Sequence, residues 1–288
     1  MRGLSDQPVK RFRAAVHHAT NHVILCVGTA FVAAPLALLV LASMNAAGAI
    51  PSFESEWTPN AQEALENYRA VANLEAGFSG SITALQMLKN SLIIATGIAT
   101  LSTAVSMAAA YAIVYFRLPL AGLLFWVTMA TLLLPLEGRF VTTFEVAATL
   151  GLINTYGGMI LPALAIALGT LFFRQLFLTF PDQYLEAAKL DGAGPWRFFV
   201  DFIVPLSWRR AGAIFVVSFM IGWHQYLWPL LLSTDETHYT VLRGLELIGL
   251  QSGPGMALAV LTVLPPLMLV VMFQRYFFAD FAAPRDGQ

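Results

Sequence analysis

Charge is what this sequence has least of. Asp, Glu, Lys and Arg make up 11% of its 288 residues and hydrophobic side chains 58%, with a mean hydropathy of +0.69. So little polar surface cannot enclose a water-soluble core, which leaves lipid as the solvent. Cysteine is nearly absent. The lone Cys26 sits in an apolar run, so it allows no intramolecular disulfide and no CxxC site, and it reads as lipid-facing or core filler. Neither sign of charge is in surplus: a net charge of -1 and a pI near 6.5 give no electrostatic reason to expect nucleic acid as a partner. There is no HExxH, no GxSxG and no paired aspartate arrangement, so no catalytic residue and no metal ligand is assigned, and an intramembrane enzyme finds no support. His17, His18 and His22 cluster just before the first apolar run, where a membrane interface accounts for them better than a metal. Lys10, Lys89 and Lys189 all lack the GxxxxGK[ST] context, so the chain cannot cradle ATP phosphates through a Walker A loop.

What is abundant is long runs without Asp, Glu, Lys or Arg. Six occur, at 14–53, 90–116, 118–136, 146–173, 211–234 and 247–274, each long enough for the roughly 20 helical residues that cross a bilayer. The expected fold is an all-α integral membrane protein with six transmembrane helices. The first run is longer than the apolar region of a secretory leader and reads as a retained anchor. Pro35, Pro135, Pro162, Pro229, Pro265 and Pro266 predict kinks, which neighbouring helices tolerate in a membrane bundle. Gly97, Ala99, Ser102, Ala104, Ser106 and Ala108 to Ala110 mark the second run as one that approaches other helices closely. With the N-terminus inside, twelve of the sixteen lysines and arginines fall on the cytoplasmic side, so the orientation is N-in/C-in.

This divides the chain into a cytoplasmic N-terminus with the first span (1–48), an outer loop (49–88), a transmembrane core (89–280) and a cytoplasmic tail (281–288). The outer loop carries Glu54, Glu56, Glu63, Glu66 and Glu75 and a helical pattern at "PNAQEALENYRAVANL". It is either a docking surface or a solvated acidic connector.

Between the fourth and fifth runs lies a charged island of about 178–208, "LTFPDQYLEAAKLDGAGPWRFFVDFIVPLSW". Thr179 and Asp182 are spaced as a cap for a helix of about 180–190, Gly192 is a natural left-handed stop, and Gly194 and Pro195 open a second helix. The expected element is a compact helix, turn and helix at the cytoplasmic membrane surface. It would pack Leu185 and Ala188 inward and offer Glu186, Lys189 and Asp191 to a soluble partner.

For a solute path the candidates are polar or aromatic groups at depth. Trp223 lies about 18 Å up a helix rising outward from Ala211, and with Trp228 it forms an interfacial belt or lines a path. His224 and Gln225, followed by Tyr226, need partners in hydrocarbon and face the interior, as helix-to-helix glue or as solute contacts. Glu137 and Arg139 close the third run; they pair locally, or Arg139 attracts a phosphate at the outer mouth.

These residues resemble a family. Glu186, Ala187 and Ala188, three residues, Gly192, nine residues, then Phe202, Ile203, Val204 and Pro205 are similar to the EAA loop of membrane subunits of ATP-binding-cassette importers. The family has isoleucine and leucine where this chain has Phe202 and Val204. The stretches 90–120, 132–140, 172–207 and 222–235 resemble the smaller-loop permeases of carbohydrate-type importers, most of all those of sn-glycerol-3-phosphate and glycerophosphodiester uptake. His224 departs from the asparagine expected beside the glutamine. The resemblance implies that Glu186, Ala187, Ala188, Asp191 and Gly192 couple to a cytoplasmic ATPase. It also implies a second homologous permease, two ATPase subunits, an external solute-binding protein and a place in the bacterial inner membrane. This chain would hold no cofactor, ATP being bound by partner subunits, and alternating access would move the solute. A sugar or polyol importer is the alternative. A secondary transporter is the remote one, because no clear repeat and no acidic residue in the middle of a run is present.

Overall fold

The computed structural model describes residues 7–45, 60–72, 75–76, 82–116, 118–133, 137–164 and 167–278. They are almost wholly helical, as lipid requires, because a helix satisfies its own backbone polar groups within one segment. Residues 1–71 and 249–260 form one compact unit, and 72–248 with 261–288 a second.

In the first unit, α1 (Gln7–Ala42) carries Pro35 within it, and Cys26 lies exposed on its surface. The helical pattern expected in the outer loop forms α2 (Ala61–Ala72). Its Asn67 amide donates to the carbonyls of Ser43 and Asn45 at 2.9 and 3.1 Å, taking up acceptors just past the end of α1. Glu54, Glu56 and the tail 281–288 lie outside the described residues.

The second unit begins with a two-residue antiparallel pair, β1 (Glu75–Ala76) and β2 (Ile82–Thr83). Thr83 then caps α3 (Ala84–Tyr115) through its hydroxyl. After it come α4 (Ala121–Ala130), α5 (Phe140–Thr149), α6 (Tyr156–Ile160), α7 (Ala167–Phe177), α8 (Asp182–Leu190), α9 (Pro195–Phe198), α10 (Val204–Trp223), α11 (Leu227–Leu232) and α12 (Val241–Ile248). The last helix is α13 (Gly253–Phe278).

The axis of this unit is α3, packed along α10 and α7. Small buried residues on α3, Ala95, Ala99, Ser102, Ser106 and Ala110, let the backbones approach. A Cβ placed on Gly222 of α10 would stand 3.0 Å from the Ala95 Cα, so a larger residue there would force the two helices slightly apart. Apolar clusters gather near both ends of α3. One holds Ile94, Ile98, Met159, Trp228 and Leu232, the other Tyr111, Phe173, Phe177, Phe198 and Ile203. From Ile98 to Tyr111 the helix rises about 20 Å.

Six charge-free runs do not become six unbroken helices. Four helical stretches are long and apolar enough to cross a membrane: Val16–Ala42, Ala84–Tyr115, Pro195–Trp223 and Gly253–Gln274. A fifth candidate is the pair Tyr156–Ala163 and Ala167–Phe177, bent by 50°. The run 118–136 yields only α4 and a 3-10 turn, Thr131–Leu133. The run 146–173 is cut by a loop with Gly151 and Asn154 at positive φ and again at Pro162. Scanning for missing charge ignores such breakers. Of the expected kinks, Pro265 and Pro266 sit within α13, and Pro135 is outside the described residues.

Candidate functional site

The charged island forms the expected helix and turn, with two corrections. Thr179 does not cap α8. Its hydroxyl donates back to the Leu176 carbonyl at 2.7 Å, closing α7, and Pro181 occupies the cap position of α8. The second helix is not separate from the next span either: α9, a π turn (Phe199–Ile203) and α10 run on as one helix, Pro195–Trp223, of 29 residues. Pro205 has no N–H for the Asp201 carbonyl, a local cause for the wider turn.

Gly192 ends α8 at φ +70. Its N–H reaches the Lys189 carbonyl at 3.1 Å, and the N–H of Ala193 reaches Ala188 at 2.9 Å, so a left-handed cap satisfies two otherwise open carbonyls. Ala188 is buried and Leu185 half-buried against the cluster around Phe177 and Phe198. Glu186, Ala187, Lys189 and Asp191 face outward. Beside them Leu190 is 89% exposed and Trp196 76% exposed, an apolar surface that invites a protein partner. Tyr111 at the end of α3 donates its hydroxyl to the Pro195 carbonyl at 2.7 Å, and its ring lies 4.9 Å from Phe199. The Arg197–Asp201 pair, from α9 to the π turn, is solvent-exposed and contributes little.

Near the other end of α3, three interrupted helices surround a cavity of about 320 Å³. Its wall comes from the start of α5 (Arg139, Phe140, Thr143), the break after α6 (Pro162, Ala163) and the α10–α11 junction (Ile221 and the run from His224 to Trp228). Non-helical backbone is tolerated at such depth where it lines a cavity or is buried in protein. Phe140 stacks on Trp228 at 5.8 Å, and the Trp228 indole N–H donates to the Gly158 carbonyl at 3.1 Å. The His224 Nδ1 donates to the Met220 carbonyl at 2.8 Å, which leaves Nε2 free of that bond. The Gln225 Oε1 is buried without a donor. Among the described residues, no Asp or Glu lines the cavity and no carboxylate pairs with Arg139.

Of the residues proposed for a path, Arg139, His224, Gln225 and Tyr226 come together here. Trp223 does not: it is 2% exposed and stacks on Phe219 at 5.7 Å, inside the protein rather than in an interfacial belt. The side chain of Glu137, and with it a local pair to Arg139, lies outside the described residues. Behind the cavity Tyr226 reaches the Arg243–Glu246 ion pair, and its hydroxyl, then Arg243, holds the Glu246 carboxyl below the usual carboxylate range.

Sequence reasoning missed a buried latch beside the cavity. The Asn90 amide, fully buried, donates to the carbonyls of Thr237 and Tyr239, both at 2.9 Å. Its Oδ1 accepts from the Tyr156 hydroxyl at 2.7 Å and from Gln86 at 3.2 Å. Asn154, at φ 57, accepts the N–H groups of Thr234 and Asp235 at 2.7 and 2.9 Å. The one available signal was an asparagine opening an apolar run, which must find partners.

A helical chain with several long apolar helices, an exposed helix and turn at one end and broken helices around a cavity defines a multi-pass membrane protein. Residues 76–281 match the family of binding-protein-dependent transport system inner membrane components. The chain belongs to this family: it is an inner-membrane permease subunit of a binding-protein-dependent ATP-binding-cassette importer, and as such works with an ATPase and a solute-binding protein. It is 46% identical over 198 residues to the sn-glycerol-3-phosphate transport system permease protein of Pectobacterium atrosepticum, covering 66% of this chain and 70% of that one. The protein of the same name from Salmonella typhi is 41% identical over 266 residues, 89% of this chain and 93% of its relative. In fold the chain is similar to a subunit in the crystal structure of a bacterial ABC transporter involved in the import of the acidic polysaccharide alginate. That match has a TM-score of 0.75 at 16% identity and covers 96% of this chain and 99% of the other.

Proposed function

We propose that the solute carried is sn-glycerol-3-phosphate or a glycerophosphodiester. The observation that carries this is Arg139, a guanidinium that, among the described residues, has no carboxylate partner and stands at a cavity no acidic side chain lines. A guanidinium at the mouth of a cavity with no acidic side chain among its described lining attracts anions, and its fork matches phosphate. The names of the relatives agree with this choice.

In this reading six spans run N-in/C-in, counting the bent pair as one and α4 with its neighbours as another. Glu186, Ala187, Ala188, Asp191 and Gly192 lie on the cytoplasmic side and seat in a cleft on an ATPase subunit. The complete transporter holds a second homologous permease, two ATPase subunits and an external solute-binding protein. ATP is bound and hydrolysed by the ATPases, and this chain needs no cofactor. Closure of the ATPases moves α8, and because the helix from Pro195 to Trp223 is continuous, that motion reaches His224 at the cavity. ATP binding turns the path outward and hydrolysis resets it.

The reading is tested by co-purifying the chain with its partners, reconstituting them with the binding protein in liposomes and comparing ATP-dependent uptake of labelled sn-glycerol-3-phosphate and maltose. Uptake of the phosphate ester alone is the expected result. Uptake of maltose alone would make this a sugar permease, and the absence of an associated ATPase would undo the coupling role of α8.

A further inference from the structure

Broken helices, a cation with no carboxylate partner among the described residues, and Gln225, whose amide oxygen is buried without a donor, line one small cavity. We infer that the cavity between α5, the α6 break and the α10–α11 junction is a solute subsite within this chain, in which Arg139 holds a phosphate monoester and Gln225 accepts a hydroxyl of its three-carbon polyol. This rests on the solute class proposed above and adds where, and by which groups, this subunit contacts it.

The volume limits what fits. At about 320 Å³ the cavity is near the lower end of small-molecule sites. It equals roughly ten waters, room enough for a small polar solute.

The polar groups are complementary to such a solute. Arg139 offers guanidinium N–H groups that can bind two phosphate oxygens at once, and it stands at the mouth, exposed. The Gln225 Oε1 is an acceptor whose burial without a donor is costly, so a turn of this side chain toward a ligand hydroxyl in the cavity regains a missing hydrogen bond. An ionised phosphate oxygen could not serve it, since both are acceptors. The His224 Nδ1 is held by Met220, which leaves Nε2 as an acceptor for a second hydroxyl. The stacked Phe140–Trp228 pair, with Pro162 and Ile221, supplies an apolar wall for the carbon skeleton. A neutral disaccharide would satisfy Gln225 and leave Arg139 unpaired, so the charge is what discriminates.

The test uses the complete transporter in liposomes with its binding protein, measuring KM and maximal rate of sn-glycerol-3-phosphate uptake. Arg139→Gln is expected to cut uptake at least tenfold, and Gln225→Leu to cut it severalfold through KM. Lys89→Gln, which removes an exposed cation away from the cavity, stays at the wild-type rate. Should Arg139→Gln fail to assemble with its partners, Arg139→Lys carries the test: it keeps the charge but loses the fork, so its KM rises. Wild-type uptake of the phosphate ester with assembled Arg139 and Gln225 variants within twofold of it would overturn the subsite and leave the solute assignment standing. Uptake of maltose and not of the phosphate ester by the wild type would overturn both.

Discussion

Asn90 shows how much one side chain can hold in a membrane protein. All four of its polar contacts are made, tying α3 to α6 and to the segment after α11. Replacement by leucine keeps the volume and removes every bond, stranding the buried Tyr239 carbonyl, the part-buried Thr237 carbonyl and a tyrosine hydroxyl. Asn90→Leu is expected to cost about 2–3 kcal/mol, since leaving such groups unsatisfied is dearer than losing the bonds themselves. A lowered melting midpoint of the purified complex in detergent would register it; an unchanged midpoint would mean that water or the backbone replaces the amide. Gly192 is the opposite case: a Cβ there would meet nothing within 4 Å, so what calls for glycine is φ +70. Any other residue there pays for a left-handed backbone, on the order of 1–2 kcal/mol.

At the scale of elements, the continuous helix from Pro195 to Trp223 links the two sites. Its Pro195 end is held to α3 by the Tyr111 hydroxyl on the Pro195 carbonyl and by the aromatic cluster around Phe198 and Phe199. At the other end it meets α3 again, where Gly222 lies against Ala95. If α8 is moved by an ATPase, these contacts decide whether the motion travels along the helix or is absorbed at the turn. Tyr111→Phe removes one hydrogen bond, worth about 1 kcal/mol, and keeps the packed ring. The expected outcome is a complex that still co-purifies with its ATPase but imports severalfold less solute per ATP hydrolysed. A wild-type ratio of transport to hydrolysis would assign Tyr111 to packing alone.

At the scale of the whole molecule, the orientation rests on the distribution of lysine and arginine, and the single cysteine makes it easy to examine. In a Cys26→Ser background, Glu186→Cys should react with a membrane-impermeant maleimide only when the cytoplasmic face is open. Thr237→Cys should react from the outside in sealed cells. Both positions are exposed. Labelling of Glu186→Cys from outside would invert the proposed topology and remove α8 from any cytoplasmic ATPase.

The sequence by itself determined that lipid is the solvent, because an apolar excess this large has no soluble solution. It also determined the α8 segment, since Gly192, Gly194 and Pro195 act on the backbone at their own positions and need no distant partner. Only the tertiary structure decided which apolar runs are single helices, because proline breaks and positive-φ turns do not register in a count of charges. It decided the cavity as well: Arg139 and Gln225 are far apart in the chain, and neither marks the other until α5 and the α10–α11 junction meet. Asn90 and its carbonyl partner on Thr237, 147 positions apart, share the same cause. Local backbone chemistry is written residue by residue, whereas a site made of interrupted helices exists only once packing has chosen where the interruptions face.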